Sequence, residues 1–299
     1  MTATDTTNTM FTTGEVTSRD GTRIGYRQVG RGPGLVLLHG SMQSAASHTV
    51  LATALADAFT VYLPDRRGRG RSGPAGEGYA VAREVEDVDA LLTHTGARNL
   101  FGVSSSGLIA LQSALMLPTI DRLAVYEPAL LLPGYDPGLT SWLPRFDREI
   151  AEGATAAALI TSMIGLQLGP AIFNRMPRWL LEGFTNMALK SEDKKAAADD
   201  VTMRKLAPTL HCEGQLIAEM AGPVERFGAV SQPVLLMGGS NGLAFITPAL
   251  DALERTLPQV RRVRFTGLDH GGCADASKAN PKGRPEQVAP ELRRFFSAA

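Results

Sequence analysis

The sequence predicts an α/β fold: a mostly parallel, twisted eight-stranded sheet flanked by helices, with an inserted all-helical cap. Three observations carry this expectation. Short apolar runs alternate with helix-length periodic segments through residues 34–126, the rhythm of βαβ units. From about Leu130 to Ala229 that rhythm stops, and only helix-compatible pieces separated by Gly and Pro occur. It resumes at Pro233 and continues to the last helix. The division that follows is a disordered tail at 1–13, a core at 14–129 and 230–299, and a cap at 130–229.

Each element has its own signal. Glu15–Ser18 and Arg23–Val29 flank Asp20-Gly21, a dipeptide that favours tight hairpin turns, and read as antiparallel strands. Gly34–His39 and Phe59–Leu63 are continuous apolar runs, as expected of strands buried on both faces. The Ala-rich stretch between them, about 47–58, is helix-compatible. Tyr79–Gly96 places Val81, Val85, Val88 and Leu92 on one helical face. Strand Asn99–Val103 leads through a turn into helix Ser105–Leu117, which Pro118 ends. Arg122–Tyr126 is the next strand. The cap reads as helical pieces at 143–152, 154–168, 171–189, 191–206 and 210–221. Strands at Pro233–Met237 and Val260–Phe265, a helix at Pro248–Leu257, a Gly-rich loop at 267–272 and a helix at Pro285–Ser297 complete the chain.

Composition excludes several classes. Lys+Arg and Asp+Glu are 30 each, so no net charge points to nucleic acid or an anionic membrane. The two cysteines, Cys212 and Cys273, form no CxxC pair, which argues against a disulfide framework or a zinc site. No apolar run reaches the ~18 residues that span a bilayer. Residues 1–13 are Thr-rich, without an apolar leader, so a cytoplasmic location is expected. No metal or cofactor is expected. The Gly/Arg-rich loop 65–73, DRRGRGRSG, lacks the lysine-serine pattern of a phosphate loop and reads as a set of local ion pairs.

The chemistry centres on Gly102-Val103-Ser104-Ser105-Ser106-Gly107. A strand-to-helix corner strains the central residue and needs small neighbours two positions either side, which Gly102 and Ser106 supply around Ser104. The next amide, of Ser105, then sits at a helix N-terminus, where negative charge is favoured. The usual form is G-x-S-x-G; here Ser106 takes the last glycine position and Gly107 follows it. In an open parallel sheet, functional residues gather past the strand C-termini. That rule selects His39-Gly40, Asp65, Ser104, Glu127, Asn241 and His270. A serine nucleophile needs a base, and the base needs a third group to fix its tautomer. His270, in a Gly-flanked loop after the last strand, is the candidate base. His39 ends a buried strand and is expected to hydrogen-bond within its loop.

Together these residues resemble the α/β-hydrolase family over about Glu15 to Phe296. The matching pieces are His39-Gly40, the run Asp65-x-Arg67-Gly68-x-Gly70-x-Ser72, the elbow at Ser104, and Gly267-x-x-His270. The resemblance implies an oxyanion hole from the amides of Ser105 and of Ser41 or Met42. It also implies an acid, and there the chain departs from the common pattern. The usual position follows the strand at Pro233–Met237 and reads Gly238-Gly239-Ser240-Asn241, without an Asp. Some relatives place the acid after the preceding strand, where this chain has Glu127. Ser104–His270–Glu127 is therefore favoured, with Asn241 as a neutral orienter, Asp251, or no working triad as the alternatives.

A serine in place of an aspartate nucleophile disfavours dehalogenase and epoxide-hydrolase chemistry. The expected activity is hydrolysis of a small to medium apolar carboxylic ester or lactone through an acyl-enzyme. A non-hydrolytic enzyme on the same scaffold (cyclase, lyase or C–C bond cleavage) and a receptor-like ligand-binding protein are the alternatives. The cap is rich in Met, Leu and Phe, and Met163, Met176 and Trp179 are the candidate substrate-binding residues. The expected partner is a small-molecule substrate, with no nucleic acid and no membrane, and with a homodimer left open.

Overall fold

In a computed structural model, described for residues 10–134, 141–166, 175–197 and 200–298, the chain forms an eight-stranded sheet. The strands are β1 (Thr12–Thr17), β2 (Arg23–Gly30), β3 (Gly34–Leu38), β4 (Thr60–Pro64), β5 (Asn99–Val103), β6 (Arg122–Tyr126), β7 (Val234–Asn241) and β8 (Val260–Asp269). Their order is β1-β2-β4-β3-β5-β6-β7-β8; β1/β2 and β2/β4 pair antiparallel and the remainder parallel. The helices are α1 (Thr49–Leu55), α2 (Val81–Thr95), α3 (Ser105–Met116), α4 (Leu143–Ala151), α5 (Thr155–Gly165), α6 (Arg178–Asp193), α7 (Met203–Leu206), α8 (Leu210–Met220), α9 (Ile246–Thr256) and α10 (Pro285–Phe296).

The central strands are apolar beyond their first residues because both their faces are covered. Val36, Leu38, Leu100, Leu123, Val125 and Leu236 join a core with residues of α2, α3, α8 and α9. Their neighbours Leu35, Leu37, Phe101, Ala124, Tyr126 and Leu235 face the other way, onto α1 and α10. The period of two along each strand thus assigns alternate residues to two cores. Burying each such Leu or Phe contributes about 1.5–3 kcal/mol.

Strand order reverses at β3, which lies between β4 and β5. A crevice opens past the C-terminal ends of strands that diverge in this way. The loop after β3 and the corner after β5 both enter it.

Four expectations about element boundaries need correction. Thr12 and Thr13, placed in the tail, pair with Gln28 and Arg27 in β1. No single helix spans 191–206: α6 ends at Asp193, and α7 starts only at Met203, where the Thr202 hydroxyl accepts from the Lys205 amide as an N-cap. The stretch 47–58 opens as a 3-10 turn, Ala45–His48, capped by Ser44, before α1 begins. β8 continues through Asp269 rather than ending at Phe265, because β7 also runs on and pairs Asn241 with Asp269 across a bulge. The expected helix 171–189 lies partly outside the described residues.

The helices between β6 and β7 divide in their packing. α8 and the turn after it give Leu216, Ile217, Met220 and Phe227 to the core under the sheet. Trp142, Phe146, Ala158, Leu159, Leu189, Ala207 and Leu210 instead form a separate cluster. Among the described residues no helix is long and apolar enough to cross a membrane.

Candidate active site

Ser104 sits where β5 turns into α3, with φ 55° and ψ −121°, a backbone conformation that L-residues seldom adopt. Its surroundings hold it there. The Ser104 amide donates to Tyr126 O at 3.0 Å, and its carbonyl accepts from Gly107 and Ala129. Gly102 has no alternative, since a Cβ there would lie 2.3 Å from Ser106 O. Ser106 replaces the usual glycine without harm because its side chain turns away and donates to His39 O at 2.5 Å. Gly107 then supplies the missing clearance one residue later; a Cβ would meet Pro128 Cβ at 2.9 Å. The irregular serine motif is thus explained by where Ser106 and Gly107 pack.

His270 follows the extended end of β8. Its Nδ1 lies 2.7 Å from Glu127 Oε2 and its Nε2 lies 3.0 Å from Ser104 Oγ. A carboxylate only accepts, so Nδ1 carries the proton and Nε2 is left to accept from the serine hydroxyl. Tyr126 steadies this turn: its hydroxyl donates to Asp269 O at 2.8 Å. Asp269 itself points elsewhere, its Oδ1 accepting from the Gly271 amide.

Glu127 is fully buried and has φ 45°. Its other oxygen, Oε1, accepts from the Gly239 amide at 2.8 Å. The chain after β7 is shaped around this carboxylate. A Cβ on Gly242 would lie 2.4 Å from Glu127 Oε1, and one on Gly238 would lie 3.4 Å from Glu127 Cγ. Asn241 does not reach the histidine; it is exposed, and its amide donates to Gly267 O. Asp251 pairs with Arg262. The structure therefore brings together Ser104, His270 and Glu127 and leaves both alternatives outside.

The loop after β3 lies beside Ser104: a Cβ on Gly40 would be 3.3 Å from Ser104 Cβ. Met42 has φ 54°, and Ser41 Oγ stands 3.5 Å from Ser105 Oγ, so the loop and the start of α3 face each other. Ser105 opens a helix of 12 residues, whose N-terminal amides favour an anion. His39 is buried below. It accepts from the Arg66 amide through Nε2 at 3.2 Å, so its Nδ1 donates to Gly40 O at 2.9 Å. Burial first, then Arg69 and Arg66, hold its pKa well below the ordinary value. It is a neutral strut.

Arginines of the loop 65–73 form ion pairs, as expected, but the reach of Arg66 and Arg69 to Glu213 escaped sequence reasoning. Arg66 pairs with Glu84 at 2.6 Å and with Glu213 of α8 at 2.9 Å, and its Nη1 lies 3.4 Å from Ser105 Oγ. Arg69 also reaches Glu213. The group ties α2 and α8 to the loop after β4, directly behind Ser105. Glu213 carries no motif and lies 147 residues from Arg66 along the chain.

Of the candidate substrate residues, Met163 and Met176 are half-buried, whereas Trp179 is 73% exposed. Trp179 lies on α6 with exposed Phe184 and Met187 instead of in a buried wall. Cys212 and Cys273 are both free thiols. No three His, Cys, Asp or Glu side chains converge as a metal set among the described residues.

An open, mostly parallel sheet with a serine elbow, a histidine after the last strand and a carboxylate after an inner one defines an α/β-hydrolase-type architecture. Comparison with known proteins agrees. The alpha/beta hydrolase family model matches residues 35–289, and the chain belongs to that family. A pimeloyl-[acyl-carrier protein] methyl ester esterase of Stenotrophomonas maltophilia is 26% identical, over 90% of this chain and 95% of its own. A cis-3-alkyl-4-alkyloxetan-2-one decarboxylase of Shewanella oneidensis is 24% identical, over 87% and 83%. The crystal structure of an alpha/beta hydrolase from Sphaerobacter thermophilus superimposes with a TM-score of 0.73 at 30% identity, covering 95% of this chain and all of that one. The protein is an enzyme of the hydrolase class.

Proposed function

We propose that this enzyme hydrolyses a small to medium, mostly uncharged carboxylic ester or lactone through an acyl-enzyme on Ser104. One observation carries the reading: the unbroken hydrogen-bonded line from Glu127 through His270 to Ser104 Oγ. His270 Nε2 takes the hydroxyl proton as Ser104 attacks the carbonyl carbon. Glu127 holds the resulting imidazolium without taking its proton. The amides of Ser105 and of Ser41 or Met42 receive the oxyanion, each donor contributing about 2.7–4 kcal/mol to the lowering of the barrier. His270 returns the proton to the leaving alcohol, then activates water to release the acid.

Specificity is assigned to the helices between β6 and β7, acting as a cap. Met42 packs against their separate apolar cluster, so this layer reaches the candidate oxyanion loop. Met163 and Met176 are the side chains assigned to the substrate wall; an apolar wall with few polar groups suits an uncharged acyl chain. The methyl ester esterase relative supports ester cleavage. The decarboxylase relative favours a second reading, a non-hydrolytic reaction on the same residues.

The test combines covalent labelling with isotope incorporation. A fluorophosphonate probe is expected to label Ser104 and to spare the Ser104→Ala variant. Turnover of an ester panel in ¹⁸O-water is expected to place one solvent oxygen in the acid product. Labelling elsewhere overturns the nucleophile assignment, and product without solvent oxygen overturns hydrolysis.

A further inference from the structure

The Gly/Arg-rich loop 65–73 holds four arginines, and the structure uses three of them internally. Arg66 pairs with Glu84 and Glu213, Arg67 with Asp20 and Asp87, and Arg69 with Glu213; all three arginines are buried. Arg71 differs. It is exposed, and its guanidinium has no carboxylate partner among the described residues. It borders a cavity of about 500 Å³ between this loop and β1–β2. Ser104, His270 and Glu127 take no part in its lining.

The cavity is rigidly built. Arg23, Gly25 and Arg27 alternate along β2, so they share the face that lines it. Gly25 leaves the gap in which the loop is seated: a Cβ there would lie 2.6 Å from Arg71 Cβ. Asp65 N donates to Gly25 O at 2.9 Å, Gly73 N to Arg23 O at 2.7 Å, Gly25 N to Ser72 Oγ at 2.9 Å, and Arg71 N to Asp65 Oδ2 at 3.0 Å. These bonds fix the backbone from which Arg27 and Arg71 extend.

Their charge is incompletely answered. Glu15 stands 3.7 Å from Arg23, and Glu213 answers Arg69. Arg27 has no carboxylate partner among the described residues, and its Nε is buried without a hydrogen-bond acceptor. A buried donor left unmade is costly, and an acceptor arriving with a ligand removes that cost. Lys205 and Asp200 both line the wall, and Lys205 Nζ donates to Asp200 O at 2.7 Å.

We propose that this cavity binds a small dianion of the phosphate class, a phosphate monoester or diphosphate group, between Arg27 and Arg71. Two guanidinium forks arriving from separate elements suit a group with oxygens in several directions. A lone planar carboxylate is satisfied by one fork. The site is separate from the ester-cleaving centre, and its assignment does not depend on the reaction performed there.

The test uses the whole chain and inorganic pyrophosphate as the probe, with inorganic phosphate and acetate as comparison anions. Titration calorimetry is expected to show saturable pyrophosphate binding, weaker phosphate binding and none for acetate. Arg27→Ala and Arg71→Ala are each expected to weaken pyrophosphate binding at least tenfold. Lys278→Ala, which removes an exposed charge outside the cavity, leaves it unchanged. Protection mapping of the unmutated protein with phenylglyoxal serves if either variant is misfolded; pyrophosphate is expected to shield Arg27 and Arg71 and not Arg98. Absence of saturable binding, binding unaffected by both arginine variants, or equal protection of all three arginines overturns the proposal.

Discussion

Glu127 and Glu213 share a residue type and near-complete burial, at 0% and 1% exposure, but not their surroundings. Glu213 faces two permanent cations. Burial pushes its carboxyl up, and Arg66 and Arg69 outweigh that and hold its pKa below the ordinary value. Glu127 has one amide and one imidazole, the only partner of the two whose charge can change during a reaction. The first glutamate spends its charge holding elements together. In the proposed reaction the second faces the proton that His270 takes from Ser104. Burial alone thus does not tell the two acids apart; their partners do.

Replacing the proposed nucleophile tests the functional side most severely. Ser104→Ala is expected to lower kcat on an ester substrate by on the order of 10⁴-fold or more, with stability unchanged in urea denaturation. Glu127→Gln follows. Gln can still accept from Gly239, but its amide would oppose the protonated Nδ1 and invert the tautomer. A loss of about 10³–10⁴-fold in kcat is expected, with unfolding free energy within about 1 kcal/mol of the parent. A large loss of stability in this variant would erase the contrast with Glu213.

Glu213→Gln should show the reverse. It leaves Arg69 without its carboxylate, and breaking a buried pair from one side costs about 3–5 kcal/mol. Urea denaturation is expected to record that loss, while kcat of the protein that remains folded falls less than tenfold. If rate collapsed and stability did not, Glu213 would belong with Glu127.

A pH series sharpens the comparison through a buried base. Burial pushes His48 down to about 4, and its Nε2 is bonded to Gln43. The unfolded chain therefore takes up this proton near 6.5 while the folded chain resists it. Stability attributable to His48 is complete above 6.5 and is lost as pH falls toward 4, by as much as about 3 kcal/mol. Glu213 and Glu84, held below their ordinary value of 4.5, add a second loss only below that pH. Urea midpoints between pH 7 and pH 4 should show the first window flattened in His48→Gln.

The smallest effect is expected at Asn241. It is exposed; its amide donates to Gly267 O and its Oδ1 accepts from the Ser240 hydroxyl. Asn241→Ala should change kcat/KM by less than about twofold, within the range of ordinary surface substitutions.

Much of the fold was legible because its signals are local. A strand covered on both faces is a continuous apolar run, so Gly34–His39 and Phe59–Leu63 declared themselves. Ser104 was legible for the same reason: a strained corner restricts its immediate neighbours. The helices between β6 and β7 were harder to delimit, since Leu216 and Ile217 serve the core under the sheet while Leu210, six residues earlier, serves the separate cluster. A helical period shows that a face is buried but not against what. Glu213 was silent because a glutamate in an amphipathic helix has the same pattern whether it meets water or two arginines.

By itself, the sequence determined the alternation of strands and helices, the elbow at Ser104 and the glycine-flanked His270. Each follows from backbone sterics or from periodicity within a few residues. For the third member the sequence favoured Glu127 over Asn241, Asp251 or no working triad, and it is the tertiary structure that sets the Glu127 carboxylate against the His270 ring. Glu127 and His270 lie 143 residues apart. Their meeting depends on how far β7 and β8 extend together, on the positive φ at Glu127, on Gly238 and Gly242 leaving space for its side chain, and on the Gly239 amide that donates to it. Those glycines stand openly in the sequence. What they make room for is a contact between distant strand ends, and only folding supplies it.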